Sequence, residues 1–425
     1  MASTVARGVR LVTAAPAASG PRRPGERRDG PLQLSLAVMR RFLLGVCFLL
    51  AATLLVVAAA LRLRYGGGSG YPDLTTAPLL DESALEVVVE FPEPIGNVAV
   101  SDDGRVFFTV HPESRPQEHR LMEWTGAGAR PFPSAAAQTE LFDTVLGVVT
   151  DRAGRLWTID HGNHGLRQPR LLALDLATGR VVHDHPLDRE IAPRGSFLQD
   201  LRIDPAGDKV FIADLSFWRG SPALVVYDVE STRARRVLER HPAVMPQDWV
   251  ITTPAKRMVF FGGLAALKPG VDGIAVDPAG EWLYFGAMAH DGLFRIPARD
   301  LRESTLGPRV LAQRVERVSD KPLSDGLATD GAGQVYITDV EHGAVLRVGP
   351  DGVLRTVIRS SRIRWADSLC FGPDGWLYLA DSALPEVMLR SRRHIRAAGP
   401  YHVFRFQPPP ASASAPASGR VIGDK

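Results

Sequence analysis

From Asn97 to Asp381 the chain repeats one pattern of apolar and polar positions. A small or acidic residue opens a short apolar strand, an Asp/Gly turn follows, and a stronger apolar strand closes the hairpin. The six copies are NVAVSDDGRVFFTV from Asn97, GVVTDRAGRLWTID from Gly147, DLRIDPAGDKVFIAD from Asp200, DGIAVDPAGEWLYFGA from Asp272, DGLATDGAGQVYITD from Asp325 and DSLCFGPDGWLYLAD from Asp367. In each turn Gly supplies a positive φ, and Asp or Pro sets the position before it. The second strands (VFFTV, LWTID, VFIAD, LYFGA, VYITD, LYLAD) are rich in β-branched and aromatic residues, as buried strands are. The copies begin 42 to 72 residues apart, the period of blades or solenoid coils. Further strands follow the hairpins, for example Leu171–Leu176 and Arg180–His185 after the second copy. Four antiparallel strands per copy make a propeller blade. The pattern therefore predicts an all-β fold, a six-bladed β-propeller over residues 85–407. After the last hairpin only His402–Phe406 reads as a strand, so Leu85–Phe91 is expected to complete that blade and close the ring. Two insertions, Arg240–Gly270 and Ala383–Tyr401, interrupt the repeats and are expected to shape a pocket on one face.

Upstream the pattern changes. Phe42 to Leu61 (FLLGVCFLLAATLLVVAAAL) carries no charge. At ~1.5 Å per residue this run matches a ~30 Å hydrocarbon core, and it predicts one transmembrane helix over 42–61. Arg22, Arg23, Arg27, Arg28, Arg40 and Arg41 precede the run, while Arg62 and Arg64 follow it. By the positive-inside rule the basic, disordered segment 1–41 lies in the cytoplasm and the propeller outside, periplasmic or extracellular. Ala58-Ala59-Ala60 leaves the alternative of a cleaved signal and a secreted protein. Residues 62–84 read as a linker in which Gly66–Gly70 (GGGSG) is a flexible tether, and 408–425 as a disordered Pro/Ala/Ser tail.

The net charge of +3 hides an asymmetry, because ten of the 50 Lys and Arg precede Tyr65 against only Glu26 and Asp29. The remainder is net acidic, which argues against a nucleic-acid partner. With two cysteines, Cys47 in the apolar run and Cys370 alone in the repeats, no disulfide within the chain is expected.

In a propeller the heads of the repeats converge on the axis. Here they are Asn97, Gly147, Asp200, Asp272, Asp325 and Asp367. Four carboxylates near one axis must either take up protons or share a cation. Oxygen ligands alone favour Ca²⁺ or another hard divalent cation. The alternative is that each Asp caps its own turn. Loops after the second strands add His111, His161, Asn163, His164, Trp218 and His342 as ligand-binding candidates. Asp160, Asp214, Asp339 and Asp381 end those strands. No GxSxG elbow, phosphate loop with Lys or HExxH motif is present. The cluster Arg390, Arg392, Arg393 and Arg396 suits an anionic partner or a solvated face.

The runs FLQDLRIDPAGDKVFIADLSFWRGSPALVVYDVES, VDGIAVDPAGEWLYFGA, LSDGLATDGAGQVYITDVEHGAVLR and IRWADSLCFGPDGWLYLAD resemble the major royal jelly protein/yellow family. The resemblance implies a six-bladed, secreted or surface propeller that binds small lipophilic molecules. More distantly, the repeats are similar to the senescence marker protein/gluconolactonase family. That likeness implies a divalent cation at the axis held by Asn97, Asp200, Asp272 and Asp325. The relatives usually carry Glu, Asn, Asn and Asp at these positions, so the pattern departs at the first three.

Three functions follow. In the first, a membrane-anchored propeller binds a small molecule at the axial mouth. In the second, a metal-dependent lactone hydrolase has its water activated by Asp325 or Asp367. In the third, the propeller is a scaffold for protein partners.

Overall fold

The computed structural model describes residues 31–412. The disordered segments expected at the two ends lie mostly outside these residues. The described residues fall into two compact units that divide after Ala58.

The second unit is a six-bladed β-propeller with four antiparallel strands in every blade. Blade one runs Ile95–Val100, Val106–Val110, Leu121–Trp124 and Ala129–Pro131, from the axis outward. The inner strands of blades two to six are Val145–Thr150, Leu198–Ile203, Val271–Val276, Leu327–Thr329 and Ala366–Phe371. Each inner hairpin turns at a glycine with φ between 71° and 82°, from Gly104 to Gly375. The turn Asp of blades two to five accepts backbone N–H groups of its own turn, as Asp151 does from Ala153 (2.9 Å) and Arg155 (3.0 Å). These bonds recur because the same turn sequence recurs.

The ring closes as expected. Glu86–Phe91 pairs with Tyr401–Phe406, completing the sheet of Leu377–Asp381 and Ala366–Phe371. The core lies between blades. Ala99, Phe107, Leu121 and Phe132 of blade one, for example, pack against Val148, Leu156, Leu172 and Leu174 of blade two.

Three of the Asp residues ending second strands, Asp160, Asp214 and Asp381, clamp the loop leading into the inner strand. Asp160 accepts Asp143 N (2.6 Å) and Thr144 N (2.9 Å), and Asp381 accepts Arg364 N (2.9 Å) and Trp365 N (2.7 Å). Asp214 takes Phe197 N, while Asp339 takes the following loop N–H groups of Glu341 and His342.

The long helix α1 spans Pro31–Tyr65 and so begins before Phe42. Pro at its start and the helix-favouring Leu, Gln, Ala and Met after it account for the early onset. From Ser35 to Tyr65 it is long and apolar enough to be a membrane span or a signal sequence. The Gly66–Gly70 segment is not a slack tether. Ser69 N donates to Asp248 O (3.0 Å), Val250 N donates to Ser69 O (2.8 Å), and Lys268 Nζ donates to Gly66 O (3.0 Å). Further on, Leu79 N and Leu80 N donate to Thr356 O and Val357 O, along the outer strand of blade five. The glycines let the backbone lie close enough to the Arg240–Gly270 insertion to form these bonds.

Candidate functional site: the axial carboxyls and the cavity above them

Aligned on their turns, the six inner strands bring two successive positions to the axis. The first ring is Gly96, Leu146, Gln199, Asp272, Asp325 and Asp367. The second is Asn97, Gly147, Asp200, Gly273, Gly326 and Ser368. In every blade but the fifth the ladder register shifts at this pair, a bulge that turns the backbone where side chains converge. The second ring is crowded. A Cβ on Gly147 would sit 2.4 Å from Gln199 O, and one on Gly273 would sit 2.4 Å from Asp325 O.

Four acidic side chains are buried here. Neither carboxyl oxygen of Asp272 has a hydrogen-bond partner, and its carboxyl lies against that of Asp325. Burial, then the charges of Asp325, Asp367 and Asp200, push the Asp272 pKa well above the ordinary carboxylate range. Asp325 accepts Gln199 Nε2 (2.9 Å) and Trp365 Nε1 (2.7 Å). Burial still pushes its pKa up to about 7. Asp367 takes the Asn97 amide at 3.4 Å, and its other oxygen lies 3.6 Å from His111 Nε2. Burial and the Asp325 charge raise the Asp367 pKa well above normal, and burial lowers His111 to about 4. The imidazole is therefore neutral near pH 7 and leaves Asp367 without a cationic partner.

The expected metal set is not brought together as a whole. Asp200 forms an ion pair with Arg202 (2.6 Å) and accepts Leu201 N (2.9 Å). Asn97 and Arg202 both line a cavity at the opposite end of the channel. The hairpin alignment explains the split, because Asp200 and Asn97 occupy the second ring, one residue beyond Asp272, Asp325 and Asp367. Blade three places Gln199 in the first ring instead. The residues that remain fit a hard cation on one observation. Asp272 presents two fully buried carboxyl oxygens that receive no hydrogen bond from a neighbouring donor, beside the carboxyl of Asp325. Asp272 and Asp325, whose carboxyls lie against each other, with the Gln199 amide, would hold the ion.

Above the first ring lies a cavity of about 230 Å³. Gln199 and Asp325 are its polar floor. Phe197, Phe217, Phe260, Leu267, Met288 and Met388 are among its apolar walls. Both insertions contribute, the first through its Val259–Phe260 hairpin and the second through Leu384–Leu389. On one side His111, Glu113 and His164 form a polar corner. His164 Nε2 is 3.2 Å from Glu113 Oε1, and its ring stacks on Phe197 with centroids 4.6 Å apart. Burial pushes the Glu113 carboxyl up, but the hydrogen bond with His164 outweighs it and helps hold it below the usual range.

Of the expected ligand-binding residues, His111, His164 and Trp218 line this cavity. His161 sits behind it, edge-on to Phe197 at 4.1 Å, and its Nδ1 accepts His164 N. His342 does not reach it. Its Nδ1 is 2.9 Å from Asp339 Oδ2, and its Nε2 is 3.6 Å from Asp73 Oδ2 in the linker. The hydrogen bond to Asp339 raises the His342 pKa. Asp73, Asp339 and His342 are nonetheless the one trio among the described residues whose ligand atoms lie within 4.8 Å of one another. Sequence reasoning missed Gln199, Glu113 and Phe197. Gln199 is recoverable by aligning the repeats on their turn Asp.

Fold and axial site together define a six-bladed propeller with a capped channel mouth. A sequence model of the major royal jelly protein family matches residues 144–356, and the chain belongs to that family. A Xanthomonas campestris protein described as a gluconolactonase superposes with a TM-score of 0.51 at 14% identity, over 81% of this chain and 98% of that one. A calcium-binding protein of Agrobacterium tumefaciens, regucalcin, does so with a TM-score of 0.51 at 16% identity, over 78% and 96%. These likenesses show the shared fold. No curated protein sequence gives a significant match.

Proposed function

We propose that this propeller is a membrane-anchored binding protein for a small apolar molecule bearing one hydrogen-bonding group. The observation that carries this reading is the cavity, with apolar walls closed by a floor of Asp325 and Gln199. Apolar walls supply most of the affinity and a few fixed polar groups orient the ligand. With a pKa of about 7, Asp325 can accept a hydrogen bond as carboxylate or donate one as acid. The Arg distribution around α1 supports an anchor whose propeller lies outside the cytoplasm. The test is titration calorimetry with indole, an apolar ring with a single N–H donor. The full chain should bind it, and Met288→Trp, which fills the cavity, should abolish the heat while leaving the β-sheet circular dichroism unchanged. Equal binding by Met288→Trp contradicts the reading.

The buried Asp272 carboxyl, which no neighbouring donor reaches, favours a second reading, a lactone hydrolase holding a divalent cation such as Ca²⁺. A bound cation would polarise a lactone carbonyl. On the protein's side, Asp367 stands beside a neutral His111 and would take the proton of an attacking water only once its own proton is displaced. Turnover of aliphatic lactones dependent on Ca²⁺ and lost in Asp367→Asn would establish it. Absence of turnover with every divalent cation would remove it.

A further inference from the structure

The rim of the cavity is apolar and exposed. Trp218 is 46% exposed, Phe261 64% and Leu389 59%, although all three line the cavity. Three loops from different parts of the chain thus present large apolar side chains around one opening, a costly arrangement in water.

The same rim holds the end of α1. Tyr65 OH donates to Trp218 O (2.9 Å), and its ring packs 5.8 Å from those of Phe217 and Trp218. Arg64 donates to Arg219 O (3.1 Å), and Arg62 donates to Gly263 O in the loop that carries Phe261. Leu61, the last residue of the apolar run, is four helical residues from Tyr65, about 6 Å along a helix. The segment beyond Tyr65 adds no slack, because Gly66 and Ser69 are bonded to Lys268, Asp248 and Val250. A helix that ends in lipid therefore leaves the rim within one headgroup layer of the hydrocarbon. Trp and Tyr side chains are at their most stable at that level, and Arg62 and Arg64 suit phosphate headgroups there.

We propose that Trp218, Phe261 and Leu389 insert into the headgroup layer of the bilayer that holds α1, so that the cavity exchanges its apolar ligand with the lipid phase rather than with water. The inference rests on the anchored, ligand-binding reading and adds the membrane as the surface on which the cavity opens.

The test places p-benzoyl-phenylalanine singly at Leu54, Phe261, Leu389 and Val353 in the full chain, in phosphatidylcholine/phosphatidylglycerol vesicles. Val353 is 47% exposed and lies in a strand turn on the opposite face of the propeller. Irradiation should give phospholipid adducts at Leu54, Phe261 and Leu389 and none at Val353. Adducts at Leu54 but at neither rim position overturn the inference and leave the anchor intact. No adduct at Leu54 or the rim overturns both. Equal adducts at Val353 and Phe261 also overturn it, since the rim is then not the membrane-facing surface.

Discussion

The indole of Trp365 donates its N–H to Oδ2 of Asp325 over 2.7 Å, from the loop that opens blade six to a carboxyl of blade five. Trp365 is fully buried, so this bond cannot be replaced by water. It favours the ionised form of Asp325 against the burial that raises its pKa. Trp365→Phe should therefore move Asp325 above about 7 and cost about 2 kcal/mol, the scale of a hydrogen bond to a charged group. Chemical denaturation measures the cost, and carboxyl NMR of Asp325 measures the shift. A fall in the Asp325 pKa would contradict the assignment.

The axial carboxyls make stability fall as pH rises. Asp325 has a folded pKa of about 7 against an ordinary 3.8, so the folded state keeps a proton that the unfolded chain gives up. The stability it contributes is full below the unfolded pKa and is lost as pH rises through about 7. Asp272 and Asp367 shift in the same direction. The melting temperature of the cation-free protein, relative to Asp325→Asn, should therefore fall as pH rises through that window. A difference that grows with pH would show Asp325 to be ionised and stabilised instead.

A divalent cation competes with those protons. Its stabilisation should be small near pH 5 and larger near about pH 8, because binding displaces protons from Asp272 and Asp325. Asp325→Asn should weaken the Ca²⁺-induced rise in melting temperature. Asp200→Asn should change it less, since Asp200 is engaged by Arg202. Equal losses in the two variants would restore a site shared by both rings.

Asp381 is fully buried and takes two backbone N–H groups and the Arg364 guanidinium. Asp381→Ala leaves all three donors without their acceptor. It should lower unfolding stability by about 3 kcal/mol, as breaking a buried pair does. A change within experimental error would show that the loop clamp carries no stability.

The hairpins were legible because one turn chemistry recurs six times, and closure was legible from the strand missing after His402–Phe406. The axial carboxyls were legible as a class but not in register. The sequence QD from Gln199 and the sequence DG from Asp272 look alike as acidic repeat heads, yet counted from the turn glycines Gly207 and Gly280 it is Gln199, not Asp200, that matches Asp272. His342 resembled the other loop histidines, but Asp339 holds it by its Nδ1 beside Asp73. The glycine tether read as slack because composition alone does not reveal the backbone partners that Asp248 and Val250 provide.

In the proposed function the cavity over Asp325 binds an apolar molecule by its ring and one polar group. The most direct measurement is a crystal structure of the full chain soaked with 4-bromoindole, with the bromine located by anomalous scattering. A bromine peak is expected inside the cavity, with the ring between Phe197 and Met288 and the indole N–H directed at Asp325 or Gln199. A fully occupied bromine site elsewhere on the propeller, with the cavity empty, would contradict it.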